Sequence, residues 1–476
     1  MADYDVVVVG SGNAGMSAAM SARNGGANTI VIEKAPQESA FGNSRFTGGL
    51  FRSYYDDIND MRRLLPDLSE EEWSQLVIPH YSKDDFWRDV MALTYDYADK
   101  ELTRTYIDKS LDSVAWLADQ GVPFLLGGAG AHGKINPGAA VWVDGAGRNL
   151  VRREYEISQA KGVEFSFETQ CLDLVVEGGV VKGVRVRRGD GEEEIRASNV
   201  VLACGGFSAS SQRRAEYLGP DWEQVTVRGT PYNTGDMIPA LQRAGAQMSQ
   251  GWTDCHATPM DISAPPDGGD IERMDLARHD YPYGILVNIH GQRFVDEGED
   301  FRLYTYAKMG RALLTQPRAL GFQIFDQKAP LLPAYSSGTR YEADTLEDLA
   351  RQAGFSAEGF VETVKQFNTG ASRDDVQFLV RGSGSQGIRP VKSNWAFPID
   401  EPPYLAFPTT CGITFTYGGV RTNTEARVLD GRGKPIRGLF SVGEIQGGLF
   451  RHNYPGGCGL MRGTVFGKIA GEVITR

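Results

Sequence analysis

Residues 10–15 of the chain read Gly10-Ser11-Gly12-Asn13-Ala14-Gly15, a G-x-G-x-x-G motif. The motif follows a β-branched run, Asp5–Val9, that is typical of a strand, and it opens an alanine-rich segment, Gly15–Gly25, with helical spacing. A second apolar run, Thr29–Ile32, completes a strand–helix–strand unit. In such units the glycines form a tight turn and let the backbone approach a pyrophosphate, so the motif predicts dinucleotide binding.

A carboxylate stands where such a unit needs one. Glu33 ends the second predicted strand, 18 residues after Gly15. There it would accept hydrogen bonds from a ribose 2′-hydroxyl, and it would repel the 2′-phosphate of NADP. The first unit by itself leaves NAD and FAD open as alternatives.

The bulk composition indicates a folded protein with two domains. A single hydrophobic core rarely serves more than roughly 250–300 residues, and this chain has 476, with 41% hydrophobic and 23% charged residues. Its long apolar runs, such as Val6–Val9 and Val200–Cys204, fall far short of the roughly 20 residues that span a bilayer. The first strand begins too close to Met1 for a secretory leader. We therefore expect a cytoplasmic protein without a membrane segment.

The net charge and the cysteine content argue against several other classes of protein. A formal net charge of -12 disfavours nucleic-acid partners, which need a basic surface. An anionic substrate would need local arginines. The five cysteines show no C-x-x-C spacing, which predicts reduced thiols and no zinc or iron–sulfur site; they are Cys171, Cys204, Cys255, Cys411 and Cys458.

Periodicity and turn residues predict the remaining organisation. Helical spacing between Leu68 and Gln120 predicts two or three surface helices. Alternating patterns between Val163 and Val201 predict a meander leading into Asn199–Ala203, with strands at Glu164–Phe167, Leu172–Val176, Val181–Val186 and Glu193–Ala197. Loop-like stretches at 263–270 and 381–390 flank a middle region, and we place a second domain there, at about 257–400.

Several motifs resemble the flavoprotein subunits of the fumarate reductase and succinate dehydrogenase superfamily, along essentially the whole chain. They are Glu33-Lys34-Ala35, Gly42-Asn43-Ser44-Arg45, Gly48-Gly49, the segment 201–207 (VLACGGF), Asn233-Thr234-Gly235-Asp236, the segment 284–297 (GILVNIHGQRFVDE), Gly418-Gly419-Val420, the segment 438–444 (GLFSVGE) and Asn453-Tyr454-Pro455-Gly456-Gly457.

The resemblance implies an α/β fold with a discontinuous Rossmann-like FAD-binding domain, residues 1–256 and 401–476, and an inserted α+β capping domain, residues 257–400. It implies FAD as cofactor, with Glu444 at the ribityl chain and the last helix pointing its amino terminus at the flavin. The FAD-binding residues that it implies are Gly10, Gly12, Asn13, Ala14, Gly15, Glu33, Lys34, Asn43, Ser44, Thr47, Gly48, Gly49, Ala203, Gly205, Gly206, Asp236, Gly443, Glu444, Gly459 and Leu460.

Within the superfamily, residues 42–45 and 454–466 look closest to tricarballylate dehydrogenases, and the C-terminal tyrosine is similar to ketosteroid 1-dehydrogenases. Three positions depart from the fumarate reductase pattern. Ser44-Arg45-Phe46 stands where some members link a histidine to the flavin, so non-covalent FAD is expected. Thr414 replaces a substrate-binding histidine, and Tyr454 replaces the arginine that clamps a dicarboxylate.

The chemistry of desaturation selects the candidate catalytic residues. Removing a proton beside a carbonyl while a hydride leaves the next carbon requires an oxyanion donor and a proton-exchanging group. Tyr454, with the amides of the turn that follows, is the candidate donor. Arg302 is the candidate proton exchanger, although it lies one residue beyond the family's position, and Tyr417 and Tyr304 compete for that role.

Further side chains are candidates for binding an anionic substrate. His256 resembles the family's substrate-binding histidine, and its alternative role is that of a hydrogen-bonded structural residue. Arg451, His452 and Arg462 could add affinity for anions, whereas Arg462 could equally face solvent.

Together these features predict an FAD-dependent CH–CH dehydrogenase that places a double bond next to the carboxylate or ketone of a small substrate, such as a polycarboxylate or cyclic keto acid. The electron acceptor is unidentified. One alternative is a fumarate-reductase-like reductase of an activated alkene. The other is a flavin electron carrier without catalysis, against which the long middle region argues, because a lid that excludes water suits an enzyme.

Overall fold

The computed structural model describes residues 2–65, 68–75, 79–126, 138, 141–269, 276–378 and 380–476. The chain divides into two compact units. Unit 1 comprises Met1–Glu223, Gly229–Cys255 and Phe415–Arg476, and unit 2 comprises Gln224–Arg228 and His256–Thr414. Unit 2 extends past residue 400, where sequence punctuation places the domain end, because one continuous strand occupies residues 404–416.

Unit 1 is built from a mixed sheet, a small second sheet and helices. Its helices are α1 (Asn13–Asn24), α2 (Ile58–Arg62), α3 (Glu70–Gln75), α4 (Lys83–Leu93), α5 (Lys100–Gln120), α6 (Ala146–Ala160), α7 (Ser211–Tyr217), α8 (Ile238–Arg243) and α12 (Cys458–Ile474). Its strands are β1 (Tyr4–Val9), β2 (Thr29–Ile32), β3 (Leu50–Phe51), β4 (Phe124–Leu126), β5 (Val141–Val143), β6 (Glu164–Ser166), β7 (Thr169–Glu177), β8 (Val180–Arg188), β9 (Gly191–Leu202), β16 (Arg427–Leu429) and β17 (Pro435–Ser441).

The main sheet has the strand order β16-β17-β8-β9-β1-β2-β6, with β7 paired to β8 and a further pairing of β17 with β9. Around β1 the strands run parallel, with Val7 opposite Ile30 on one side and Val200 on the other. Val6–Val9 are buried, as expected for a strand covered on both faces. The predicted strand–helix–strand unit is therefore present as β1, α1 and β2.

The first and last helices pack closely against each other. A Cβ atom on Gly467 of α12 would lie 2.6 Å from the carbonyl oxygen of Ala14 in α1, and one on Gly471 would lie 2.5 Å from the amide nitrogen of Ala22. Small residues four apart on α12 thus let two backbones touch along one face. This packing joins the C-terminal segment of unit 1 to the first strand–helix–strand unit.

Three sequence predictions for unit 1 are wrong in detail. The two strands predicted at 193–197 and 199–203 form the single strand β9, which pairs with β8 in its first half and with β1 in its second. The residue between them, Ser198, is an exposed position within this strand. The strand β6 pairs with β2 in the main sheet instead of joining the meander. Helix α5 is not a surface helix, because Tyr106, Leu111 and neighbouring positions are buried.

Unit 2 contains helices α9 (Arg302–Leu314), α10 (Leu346–Ala353) and α11 (Ala357–Gly370), and strands β10 (Thr226–Val227), β11 (Cys255–Asp261), β12 (Ile285–Asn288), β13 (Leu320–Phe325), β14 (Tyr341–Ala343) and β15 (Tyr404–Thr416). The order β10-β15-β13-β12 makes β15 central, and β11 and β14 also pair with it. Val287, Phe322 and Ile324 form a core with Phe360 and Val364 of α11. In the described part of the chain, no helix combines the length and apolar character needed to cross a membrane.

Candidate FAD-binding and active site

The glycine loop after β1 has the conformation that its sequence predicts. Gly10 has φ +102°, and a Cβ there would lie 2.5 Å from the carbonyl oxygen of Ala203. A Cβ on Gly15 would overlap the carbonyl oxygen of Gly10. At Gly12 a Cβ would meet only the Ser44 hydroxyl, at 3.3 Å, and the main chain of Phe41. Packing within the protein therefore requires Gly10 and Gly15, whereas Gly12 leaves room for a close ligand.

Glu33 lies at the end of β2 beside this loop. One carboxylate oxygen accepts hydrogen bonds from the Ser11 amide at 3.0 Å and the Ser11 hydroxyl at 2.7 Å, and the other accepts from the Ala35 amide at 3.0 Å. These bonds hold the buried carboxylate in one orientation next to the motif. Such an oxygen can still accept a hydroxyl from a ribose.

Lys34 and Asp236 form an ion pair at 2.9 Å. Burial raises the pKa of the Asp236 carboxyl, but Lys34 and hydrogen bonds from Thr234 and Gln170 outweigh burial and lower it. The charge of Lys34 is therefore balanced within the protein. This pair fixes the Asn233–Asp236 segment next to the end of β2.

The segment after residue 41 lies against the start of α1. The amide of Asn13 donates to the Ser44 hydroxyl at 3.0 Å. Asn43 accepts from the Thr230 amide at 3.0 Å through its side-chain oxygen. The Thr47 hydroxyl accepts from the Gly49 amide at 3.2 Å. Ser44 thus caps the glycine loop, at the position where covalent relatives are expected to carry a histidine.

A second buried carboxylate organises the loop after β9. Glu444 accepts from the amide of Thr416 at 2.7 Å and from its hydroxyl at 2.9 Å, and Asn233 donates to it at 3.1 Å. Asn233 in turn accepts from the Gly206 amide at 2.6 Å. A Cβ on Gly206 would overlap Thr416 and Glu444. Burial raises the pKa of the Glu444 carboxyl, partly offset by these hydrogen bonds.

Helix α12 begins at the loop and is fixed to it by Asn13. The side-chain amide of Asn13 donates to the carbonyl oxygen of Leu460 at 2.9 Å, and the Thr464 hydroxyl donates to Asn13 at 3.1 Å. Gly457 caps the helix with φ +90°. The amide of Cys458 donates to the Pro455 carbonyl oxygen at 3.2 Å. The next amides of the first turn of an α-helix have no partner within the helix, so they can donate to a negatively charged or polarised ligand atom.

Tyr454 lies three residues before this cap in an aromatic cluster. Its ring centroid is 5.2 Å from that of Phe415, 5.3 Å from Phe450 and 6.3 Å from Tyr417. Tyr454 is 5% exposed and Tyr417 1%. Four residues are candidates for catalysis or substrate binding: Tyr454, Tyr417, Arg302 and His256. The two tyrosines therefore lie together in unit 1, next to the start of α12.

Arg462 lies beside the same cluster. Its guanidinium carbon is 4.9 Å from the Phe450 ring centroid and 5.8 Å from that of Phe415. The side chain is buried, so the solvent-facing alternative is wrong. The spacing of the last helix did not reveal this, because α12 is buried on most of its circumference.

Arg451 and His452 are placed differently. Arg451 lies 3.7 Å and His452 3.6 Å from the same carboxylate oxygen of Asp254. Arg451 also stacks over Tyr97, 4.0 Å from the ring centroid. Their position beside a carboxylate makes them weaker candidates for binding an anionic substrate than their charge alone indicated.

The other two candidates, His256 for substrate binding and Arg302 for proton exchange, belong to unit 2. His256 is buried in β11, and burial followed by the charge of Arg228 holds its pKa well below the ordinary histidine value. Arg302 opens α9, pairs with Asp280 at 3.4 Å and is 28% exposed. Tyr304, the competing residue, is buried two positions further on. The roles of all four residues remain predictions.

Comparison with known proteins gives the family. The model of the FAD binding domain family matches residues 5–460. The chain belongs to this family. Its most similar relatives include a probable fumarate reductase of Shewanella frigidimarina, 28% identical over 98% of this chain and 74% of that protein. They also include a 3-oxosteroid 1-dehydrogenase of Mycobacterium tuberculosis, 28% identical over 95% of each chain.

Membership of the FAD binding domain family confirms the predicted cofactor. The predicted resemblance to fumarate reductases, with ketosteroid dehydrogenase features, is also confirmed. The alignment with the solved structure of an open flavocytochrome c3 fumarate reductase spans 99% of this chain and 78% of that chain, with 26% identity and a TM-score of 0.72. This similarity confirms the predicted fold class. The glycine cradle and the buried carboxylates described above are the residues that fit FAD.

Sequence reasoning missed several residues of the site. Arg52 is fully buried and donates from Nε to the Gly456 carbonyl oxygen at 2.7 Å. Thr416 orients Glu444, and Ser11 orients Glu33. The burial of Arg52 and the roles of Ser11 and Thr416 had no signal in the linear sequence.

Proposed function

We propose that this protein is an FAD-dependent dehydrogenase that introduces a carbon–carbon double bond next to the carboxylate or ketone of a small molecule. When bound, FAD supplies the acceptor for a hydride. The names of the two relatives given above, a fumarate reductase and a 3-oxosteroid 1-dehydrogenase, describe reactions at such bonds. The residues of unit 1 support the same class of reaction.

One observation carries the proposal: Tyr454 and the first turn of α12 lie within a few residues of each other, in a buried aromatic cluster. A phenol O–H and the amides of a helix amino terminus all donate toward developing negative charge. We infer that Tyr454 binds the carbonyl or carboxylate oxygen of the substrate, which makes the neighbouring C–H more acidic. The surrounding aromatic rings exclude water from that oxygen.

The proton is the second requirement. We propose that Arg302 exchanges it and that Asp280, which pairs with Arg302, orients the guanidinium. A guanidinium is a poor base in water, and a paired carboxylate stabilises its charged form. Arg302 can therefore accept the substrate proton only as it passes one of its own protons to Asp280. Tyr417 and Tyr304 remain the competing groups, and we propose His256 as a substrate-binding residue.

Three further properties belong to the proposal. FAD is held without a covalent bond, because Ser44 cannot form the link that a histidine forms; acid precipitation should release all flavin into the supernatant. None of the five cysteines, all among the described residues, forms a disulfide, which supports residence in the reducing cytoplasm. Electrons leave the reduced enzyme to an external acceptor, which a series of artificial acceptors can classify.

A second function, reduction of an activated alkene, is favoured by the fumarate reductase among the relatives. Anaerobic mixing separates the two directions. We expect tricarballylate or a cyclic keto acid to bleach the flavin of the oxidised holoenzyme. Rapid reoxidation of reduced enzyme by an enoate, with no bleaching by any saturated acid or ketone, would replace the proposal by the reductase. If saturated compounds do not reduce the flavin and enoates do not reoxidise it, the remaining interpretation is a flavin electron carrier.

A further inference from the structure

Lys392 is a buried lysine of unit 2 that binds the main chain of one turn. Its Nζ donates to the carbonyl oxygen of Pro282 at 2.7 Å and to that of Gly284 at 2.9 Å. Burial lowers the pKa of Lys392 to about 8, so the amine keeps most of its charge at pH 7. A buried charge costs free energy that an apolar side chain of similar length would not cost. The ammonium group therefore indicates that the position of this turn matters.

The turn that Lys392 binds begins at Asp280, the partner of Arg302. The Tyr283 amide donates to the Asp280 carbonyl oxygen at 2.9 Å and closes the turn. The buried Asp280 carboxylate accepts from Nη1 of Arg302 at 3.4 Å and from the Leu332 amide at 2.6 Å. Movement of the turn would therefore move the carboxylate relative to the guanidinium.

The segment that carries this lysine, residues 380–395, also holds the residues just before Arg302. We call this segment the strap. Nε of Arg381 donates to the Asp300 carboxylate at 2.8 Å, and the Arg381 guanidinium carbon lies 4.9 Å from the Phe301 ring centroid. Phe301 is the residue before α9, which begins at Arg302. The strap thus contacts the chain on both sides of the ion pair.

Hydrogen bonds within the strap join these contacts. The Trp395 amide donates to the Gly382 carbonyl oxygen at 2.9 Å, and the Trp395 indole Nε1 donates to that of Val380 at 2.9 Å. The Ser385 amide donates to the Lys392 carbonyl oxygen at 2.8 Å. The strap therefore holds its buried lysine and its arginine in one fixed arrangement.

We propose that Lys392 is a positioning residue for proton exchange, because it fixes the Asp280 carboxylate at the distance from Arg302 that the exchange needs. This inference rests on the proposed function. There the proton leaves the substrate carbon for the guanidinium, while one guanidinium proton passes to the Asp280 carboxylate. Such a passage depends steeply on the geometry of donor and acceptor, so a displaced turn slows it without weakening substrate binding.

The test is anaerobic stopped-flow reduction of the FAD holoenzyme, with tricarballylate and cyclohexanonecarboxylate as separate probes and flavin bleaching as the signal. We expect Lys392→Met to lower the limiting rate constant about 10- to 100-fold, the usual cost of a small misplacement. The apparent Kd of the probe should stay near that of the unchanged protein. Lys365→Met changes an exposed lysine on α11 of the same unit and should leave both values unchanged.

A double variant shows whether Lys392 acts through Asp280. Asp280→Asn already removes the proton acceptor, so adding Lys392→Met should lower the rate constant by less than about twofold more. Lys392→Arg keeps a charged group with several donors and should restore most of the rate. Lys392→Gln keeps a neutral donor, and if Lys392→Met does not fold, it takes that variant's place with a loss in the same direction.

The two proposals fail separately. Unchanged rate constants in Lys392→Met and Lys392→Gln would overturn the inference and leave the dehydrogenase in place. Losses that multiply in the double variant would also overturn it, because a lysine with a separate structural role adds a loss of its own. If neither probe nor any other saturated acid or ketone bleaches the flavin of the unchanged protein, the proposed function itself is wrong.

Discussion

The guanidinium of Arg52 donates from Nε to the carbonyl oxygen of Gly456 over 2.7 Å. The amide of Arg52 also donates to the Gly457 carbonyl oxygen at 3.3 Å. One residue after β3 therefore holds both glycines between Tyr454 and the start of α12. Tyr81 accepts from Arg52 at 3.1 Å and donates to Asp89 at 2.6 Å, which orients the guanidinium.

Arg52 is accordingly a positioning residue for the proposed oxyanion site. In Arg52→Lys the charge remains but the Nε donor to the Gly456 carbonyl oxygen is lost. We expect kcat to fall about 10- to 100-fold with little change in KM, because a small misplacement of catalytic donors costs about that much. Steady-state kinetics of the FAD-replete variant measure this. Arg62→Lys, at an exposed ion pair with Glu70, is the control and should keep full activity. A rise in KM of about 10- to 100-fold with unchanged kcat would instead assign Arg52 to substrate binding.

Tyr454→Phe removes the proposed oxyanion donor and keeps the ring that packs on Phe415 and Phe450. We expect kcat to fall about 100- to 1000-fold, the usual loss for one such donor. The melting temperature and flavin content should stay near those of the unchanged protein. Tyr4→Phe, which removes a hydroxyl bonded to Glu164 at the sheet, serves as control. Full turnover in Tyr454→Phe would remove this tyrosine from the mechanism.

Substitutions at Gly12 and Gly15 distinguish an effect on cofactor binding from an effect on folding. A Cβ on Gly12 meets the movable Ser44 hydroxyl at 3.3 Å, whereas a Cβ on Gly15 overlaps a backbone oxygen. We expect Gly12→Ala to fold as the apoprotein but to raise the Kd for FAD at least tenfold, about 1.4 kcal/mol. Gly15→Ala should lower the melting temperature of the apoprotein itself. Fluorescence titration with FAD and thermal melts of both apoproteins check this, and unchanged FAD affinity in Gly12→Ala would contradict it.

Protonation of the Glu154 carboxyl on α6 makes the free energy of unfolding depend on pH. It is fully buried, neither carboxyl oxygen has a hydrogen-bond partner among the described residues, and burial raises its pKa well above the ordinary glutamate value. The folded state therefore keeps a proton that the unfolded state releases above about pH 4.3. The free energy of unfolding therefore falls as the pH rises from about 4.3 toward the folded-state pKa of Glu154, by about 1.4 kcal/mol per pH unit.

Glu154→Gln removes this titration. We expect its melting temperature, relative to the unchanged protein, to rise as the pH increases from about 5 toward the folded-state pKa of Glu154. Glu156→Gln changes an exposed glutamate two positions along the same helix and should show no such trend. Parallel pH profiles for Glu154→Gln and the unchanged protein would show that Glu154 is ionised in the folded state.

The sequence predicted the first strand–helix–strand unit and its glycines because those features are local. The spacing of Gly10, Gly12 and Gly15 and the position of Glu33 are set by one turn and one helix. Local patterns could also predict that Tyr454 precedes a helix start, since Gly456-Gly457 marks the turn.

Contacts between distant segments could not be predicted in this way. Arg52 meets Gly456, and Asn13 meets Leu460, across more than 400 residues of chain. The end of unit 2 was also not predicted, because it falls inside the 13-residue strand β15 and not at a turn between two elements. Burial of Arg462 and Glu154 depends on packing around a whole helix, and a charged residue in a sequence gives no sign of it.

The central claim is that a hydride passes from a substrate carbon to FAD while a proton leaves the adjacent carbon. The direct measurement is anaerobic stopped-flow reduction of the holoenzyme by a substrate deuterated at the hydride-donating carbon, with mass analysis of the product. We predict flavin bleaching slowed severalfold by deuterium and a product lighter by the two transferred hydrogens. Bleaching at equal rates for both isotopologues, with the carbon skeleton still saturated, would contradict it.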